Sequence, residues 1–307
     1  MLKMVPEFES ASVVRTRDPA VLERCDVVVD VGGVYEPAKR RFDHHQRGFE
    51  ETMTELGRST KLSSAGLAYR HYGREVIATI LSARGESLPK KPRADDSSFV
   101  DKLYPRLYAS FVEEIDGIDN GQEAFYDAAT PRYELSTTLS RRVGRLNARW
   151  NQPQHDQNNR FGDAVRLCSA ELVDACLDAL ESWLPARDIV ARALSSSTGE
   201  IVDLETYCPW QAHIFDLETE PGRAKYVLYE DSKGGWRVQA VPVQAGSFKS
   251  RLPLPEPWRG LRDDHLSALV GVQGCIFVHA SGFIGGAKTK DAVMALATKA
   301  LEFAGAI

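Results

Sequence analysis

The sequence predicts an α/β protein, with a parallel-sheet domain followed by a smaller α+β domain. Cys25–Val31 (CDVVVDV) is a near-continuous apolar run ending at Gly32-Gly33, the pattern of a strand buried on both faces of a parallel sheet. With the β-branched run Ser12–Arg15 (SVVR) and the helix signals between them, it makes a β-α-β rhythm of about 20 residues. From Gly199 the texture changes to short strands with turn signals, which predicts the second domain.

Taken in order, MLKMVPEFES reads as an apolar helical tail running into Pro6. Asp18 caps the helix after SVVR, and Pro19 suits its first turn. Beyond the loop Asp43–Met53, Ser63-Ser64-Ala65-Gly66 starts a helix through about Tyr72. Ser82–Ser98 is polar and breaker-rich, an exposed insertion. Leu103, Leu107, Phe111, Ile115 and Ile118 recur close to helical spacing. Phe161–Leu194 is largely helical, interrupted by Pro185, and gives a connector over 161–198 between domains 1–160 and 199–307. In the latter, GEIVDLE, AKYVLYE, WRVQAVPV and CIFVHA read as strands, with Lys233-Gly234-Gly235 turning a hairpin. The Gly-rich loop Ser281–Gly286 then leads to a helix from about Lys288 to Phe303.

Bulk properties narrow the function. Of 307 residues, 43% are hydrophobic and 26% charged, as in globular proteins rather than disordered ones. No apolar run approaches the roughly 20 residues of a membrane helix, and the first residues lack the features of a signal or transit peptide. An intracellular protein without a membrane partner is expected. The five cysteines are scattered without CxxC spacing, which argues for a reducing compartment and against a zinc site. A net charge of −5 gives no general attraction to nucleic acid, so a phosphate-rich substrate must be held by local charge or by metal.

The sharpest chemical signal is Asp43-His44-His45, 13 residues after Asp30. Asp30 falls at the C-terminal end of the expected buried strand, where open α/β sheets place ligand-binding residues. Carboxylates and imidazoles without a thiolate suit manganese or magnesium, and one aspartate between two ions can bridge them. Asp116 and Asp119, three apart, can present both carboxylates from one helix end. A histidine pair is also common surface decoration, and an acidic helix end is commonly just solvated.

The run VVVDVGGVYEPAKRRFDHHQRGFEETM, followed by TKLSSAGLAYRHYG, FVEEIDGIDNG, STTLSRRVGRLNARWN and SFKSRLPLPEPWRGLRDDHLSALVGVQGCIFVHASGFIGG, closely resembles the MYG (melanocyte proliferating gene) family. That family is a branch of the DHH phosphoesterases with 3′→5′ RNA exonuclease activity, and the likeness covers essentially the whole chain. The resemblance implies a two-metal Mn²⁺ (or Mg²⁺) site in a DHH-type domain, in the cleft beside a C-terminal substrate domain. Asp30 then matches the bridging aspartate, His44 the metal-ligating histidine, Asp43 the carboxylate that orients it, and His45 the group that polarises the scissile phosphate. Asp119 matches the fourth motif better than Asp116, which stays open.

One motif departs. The family's first strand and metal motif, of the form H-N-G-x-F-H-x-D-E, has no counterpart here. The expectation is therefore a DHH-type domain lacking its first strand, a half-site holding one ion or none, and impaired activity. For the C-terminal domain the resemblance implies substrate contact by His279, Ser281, Gly285 and Gly286. The glycines themselves suggest a phosphate cradle at a helix N-terminus. Arg251, Arg259 and Arg262, with Trp258 beside them, suit the 3′ end of single-stranded RNA, or else a rigid loop packed on Trp258. Rival readings are a small-molecule phosphohydrolase acting on pyrophosphate or a cyclic dinucleotide, and a non-catalytic RNA-binding or scaffold protein. The family implies nucleus or mitochondrion in a eukaryote, and a bacterial chain would be cytoplasmic.

Overall fold

Strand pairing starts inside the apolar run Cys25–Val31, but only Val28–Val29 (β1) join a ladder. The computed structural model describes residues 1–83, 97–123, 134–151, 157–197 and 199–305. Most of the polar stretch Ser82–Ser98 therefore lies outside the described residues. The chain divides into two units, Met1–Leu180 and Glu181–Ile307, with mixed α/β content and two sheets among the described residues. No helix among the described residues is long and apolar enough to cross a membrane.

In the first unit, the start of the chain forms short 3-10 turns at Leu2–Met4 and Pro6–Phe8. Asp18 caps α1 (Pro19–Leu22) by accepting the Ala20 N–H at 2.9 Å. Strands β2 (Tyr35–Glu36) and β3 (Arg41–Phe42) complete a sheet of order β1-β3-β2. β1 runs parallel to β3, and β2 antiparallel to it. The SVVR run forms no strand, and Val13 and Val14 stand 62% and 58% exposed. β-branched residues favour a strand only when a neighbouring strand and a packed face receive them, and here the parallel partner of β1 comes from downstream.

Helix α2 (Ser64–Ala83) runs about three turns past the expected end at Tyr72. It backs the sheet: Phe42 is buried with its ring 5.1 Å from His71 and 5.8 Å from Tyr72. The second expected helix forms as α3 (Ser97–Leu107), a π-turn at Tyr108–Val112, and α4 (Glu113–Asp119). Tyr69 and Tyr104 stack at 4.8 Å to hold α2 against α3. Short α5 (Leu139–Gly144) and long α6 (Gln157–Asp178) follow.

The expected connector is divided between the units. α6 packs on α2, α3 and α5. A π-turn at Ala179–Trp183 leads to α7 (Leu184–Ser196), whose Ala186, Val190, Ala193 and Leu194 enter the core of the second unit. That unit continues through β4 (Ile201–Thr206), α8 (Gln211–Leu217), β5 (Tyr226–Glu230), β6 (Trp236–Ala240), α9 (Asp263–Val270), β7 (Cys275–Val278), β8 (Ile284–Ala287) and α10 (Lys290–Phe303). The sheet order is β4-β5-β6-β8-β7, with β4 and β5 parallel and the rest antiparallel.

Two expectations change here. Gly285 and Gly286 are not loop residues, because β8 inserts between β6 and β7 and both glycines sit in its ladders. Their peptide groups serve the sheet rather than a phosphate, and α10 begins only at Lys290, capped by Thr289. Arg251, read as an RNA contact, is mostly buried (10% exposed). It forms an ion pair with the buried Glu218 at 2.9 Å and also donates to Ala224 O at 3.0 Å. Glu218 further accepts the N–H groups of Gly222 at 3.0 Å and Ala224 at 2.6 Å. Removing one member of such a pair strands the other charge away from water. Glu218→Ala is expected to lower unfolding stability by about 3–5 kcal/mol, read as a lower denaturant midpoint with an unchanged m-value.

Candidate metal centre

The register of β1 on β3 builds the site. Val28 pairs with Arg41 and Val29 with Phe42, so the two parallel strands end side by side and release Asp30 and Asp43 at the same edge. Asp30 takes a positive φ of 66°, a conformation that aspartate tolerates better than most residues. Its N–H donates to Phe42 O at 3.2 Å, which fixes the turn. Asp30 Oδ1 then lies 3.8 Å from His44 Nδ1 and 3.9 Å from His45 Nδ1. One donor atom from each of Asp30, Asp43, His44 and His45 falls within 4.8 Å of the others.

Within this group the residues differ. Asp43 is buried and organises the loop: Oδ2 accepts Gly33 N–H at 2.6 Å, and Oδ1 accepts His45 N–H at 3.0 Å and faces His45 Nδ1 at 2.7 Å. Asp43 therefore orients His45 rather than His44, a correction to the role the sequence suggested. Burial pushes the Asp43 carboxyl up, but these hydrogen bonds prevail and hold it below its ordinary range. The same bond raises His45 above the ordinary histidine value, with the charges of Asp43, Asp30 and Asp119 adding to it.

His44 is buried and takes its orientation from Ser64, whose N–H donates to Nδ1 at 3.1 Å and whose Oγ lies 3.0 Å from the same atom. Its Nε2 faces Asp119 Oδ2 at 3.2 Å. The helix end thus contributes Asp119 to the site. Asp116 turns the other way and is fully buried. It accepts Ser63 N–H at 2.9 Å, Ser63 Oγ–H at 2.7 Å, Gly66 N–H at 3.0 Å and Tyr108 O–H at 3.0 Å. It is the anion at the N-terminus of α2. A Cβ on Gly66 would stand 2.3 Å from its carboxylate, so only glycine fits there.

Asp30, His44, His45 and Asp119 offer hard oxygens and imidazole nitrogens with no thiolate, a donor set that fits a divalent cation of the manganese or magnesium type. An ion held by His44 Nε2 and Asp119 would displace any proton between them. Sequence reasoning missed Ser64, Ser63 and Gly33. The Ser-Ser helix start was visible, but which side chains its hydroxyls and N–H groups meet was not.

The other expected substrate residues belong to the second unit. His279 and Ser281 lie in the β7–β8 turn, with His279 Nδ1 2.9 Å from Ser281 Oγ. Arg259 donates from Nε to Leu254 O at 2.9 Å, which favours the rigid-loop reading for this residue. Buried Trp258 packs 6.2 Å from the Phe303 ring. Arg262 is exposed and lies over Phe277.

The family model MYG1_exonuc, described as Uncharacterised protein family (UPF0160), matches residues 1–301. The chain is 48% identical to the MYG1 exonuclease of Rattus norvegicus over 314 residues, covering 98% of this chain and 80% of the relative. It is 46% identical to the MYG1 exonuclease of Homo sapiens, with 98% and 81% coverage. It is 41% identical to MYG1 protein YER156C of Saccharomyces cerevisiae, with 98% and 90% coverage. No solved structure matches the chain.

Two outcomes test the division of labour. Asp116→Ala orphans buried donors and is expected to cost about 3 kcal/mol, whereas Asp119→Asn leaves stability nearly unchanged and weakens Mn²⁺ binding in calorimetry. Burial raises Asp116 to about 6, with its hydrogen bonds opposing. Its stabilising contribution is thus full below the unfolded value near 3.8 and lost as pH rises through about 6. Asp116→Asn flattens the fall in stability over that window. In metal-free protein, Asp43→Asn brings the His45 titration, followed by NMR, down toward that of an ordinary histidine.

Proposed function

The chain belongs to the MYG1 exonuclease family, and from that premise we propose that it is a divalent-metal-dependent phosphodiesterase that shortens single-stranded RNA from its 3′ end. The family name supports a nuclease-type hydrolase. The observation that carries the metal-dependent part is the group Asp30, Asp43, His44 and His45, whose donor atoms lie within 4.8 Å of one another, with Asp119 Oδ2 3.2 Å from His44 Nε2.

In this reading Asp30, His44 and Asp119 hold the ion, and Ser64 keeps the His44 ring in place. A bound divalent ion supplies a water of lowered pKa and neutralises charge on the phosphate. Asp43 accepts from His45 Nδ1, which leaves Nε2 to meet the substrate. In the metal-free chain the Asp43 hydrogen bond, with the charges of Asp43, Asp30 and Asp119, raises the His45 pKa and favours its imidazolium form. The Nε2 proton can then bond a phosphate oxygen as charge develops, or pass to the leaving sugar oxygen. The exposure of His45 and Asp30, each 61%, leaves both open to a chain end, while buried Asp43 and His44 supply the rigid base.

The test is a single-stranded oligoribonucleotide labelled at its 5′ end, incubated with Mn²⁺ and purified protein. Stepwise shortening is expected, abolished by EDTA and by Asp30→Asn. Asp43→Asn should lower kcat about 10- to 100-fold, the usual scale for a residue that orients a site group. Orthophosphate release from pyrophosphate with intact RNA would reject the nuclease.

A further inference from the structure

The sheet of the second unit is covered unequally. On one face α9 and α10 bury Leu228, Val238, Val278 and Ala287. On the other, α7 and α8 cover Val202, Leu204, Val227 and Tyr229 of β4 and β5. Next to that covered half, Arg237 on β6 pairs with Gly286 on β8, and Gly286 with Phe277 on β7. Because side chains alternate along each strand, these three form a row on the same face as Val227 and Tyr229. Neither Phe277 nor Ile284 belongs to either core.

The row has an aromatic and cationic character. The guanidinium of Arg237 lies 5.5 Å from the Phe277 ring centroid, and that of Arg262 lies 5.8 Å from it. Arg237 and the Phe277 ring lie over the missing side chain of Gly286, where a Cβ would stand 2.8 Å from Arg237 Nη1 and 3.0 Å from a Phe277 ring carbon. Among the described residues Arg262 has no carboxylate partner. Beside Arg237 opens a cavity of about 500 Å³, walled by Tyr207, Tyr229, Glu230, Asp231 and Ile284. Tyr207 is 62% exposed, edge-on to Tyr229 at 5.2 Å.

We propose that this face binds the nucleic-acid strand, with one unpaired base in the cavity against Tyr207 and the backbone across Arg262, since Arg237 is already paired with Asp231. The proposal rests on the nuclease reading and extends it to a set of residues outside the metal centre. An exposed aromatic wall offers a stacking surface. The exposed Glu230 carboxylate would repel a bare phosphate but accepts from a base N–H or ribose hydroxyl. The Arg262 guanidinium, held over the Phe277 ring, is suited to phosphate oxygens. In a protein of net charge −5, such attraction has to be local. A duplex keeps its bases paired and cannot offer one to the cavity.

The test measures binding rather than turnover: fluorescence anisotropy of a labelled single-stranded oligoribonucleotide with the full chain in EDTA. The single strand is expected to bind more tightly than its duplex. Tyr207→Ala and Arg262→Gln should each weaken binding about 5-fold or more, Tyr207→Phe should restore it, and Arg262→Glu should weaken it further with a shallower salt dependence. Wild-type affinity in both Tyr207→Ala and Arg262→Gln, or equal affinity for duplex, overturns the proposal. If those variants bind normally while the wild type shortens RNA with Mn²⁺, only this face is rejected. If the binding pattern holds and no RNA is shortened, only the nuclease reading is rejected.

Discussion

Two parallel ladder pairs, Val28 with Arg41 and Val29 with Phe42, carry the site of the first unit. They end both strands at one edge, and everything chemical follows from what each chain does next: Asp30 turns back through a positive φ, and Asp43-His44-His45 fans out beside it. A ladder so short cannot hold itself in register, since hydrogen bonds to water compete with it at little loss. Burial of Phe42 against the rings of His71 and Tyr72 supplies the missing constraint, because a one-residue slip would turn that ring out of the core.

A buried carboxylate provides the second constraint. Asp116 satisfies the first N–H groups of α2 and takes the Tyr108 hydroxyl as well, so α2 and α4 are tied end to end. That tie brings Ser64 and Asp119 to opposite nitrogens of His44. An aspartate that resembles a ligand in the sequence thus acts through others. Its four donors leave it no role at the surface, and Gly66 is the residue that lets it approach. The neighbouring imidazoles divide as well, His44 buried and fixed by a serine, His45 exposed and hydrogen-bonded to an aspartate.

In the second unit, glycines that suggest a phosphate loop are spent on sheet geometry. Gly285 admits Leu254 and Val238 from the core side, and Gly286 admits Arg237 and Phe277 on the other. Similarly, Arg251 looks free in a proline-rich stretch and is instead half of a buried pair. Local sequence shows which groups are charged or small but not whether a distant partner has already claimed them.

The sequence by itself determined the mixed α/β class, the family, the Asp18 and Lys233-Gly234-Gly235 signals, the four strands of the second unit, and the Asp30 and Asp43-His44-His45 group. These are carried by local periodicity, capping chemistry and residue type, which act over a few positions. The tertiary structure alone decided that SVVR stays unpaired, that β8 forms, that Asp116 is buried against the N-terminus of α2, and that Asp43 serves His45. Each of those depends on a partner far along the chain, whose position is fixed by burial and steric fit rather than by any nearby residue.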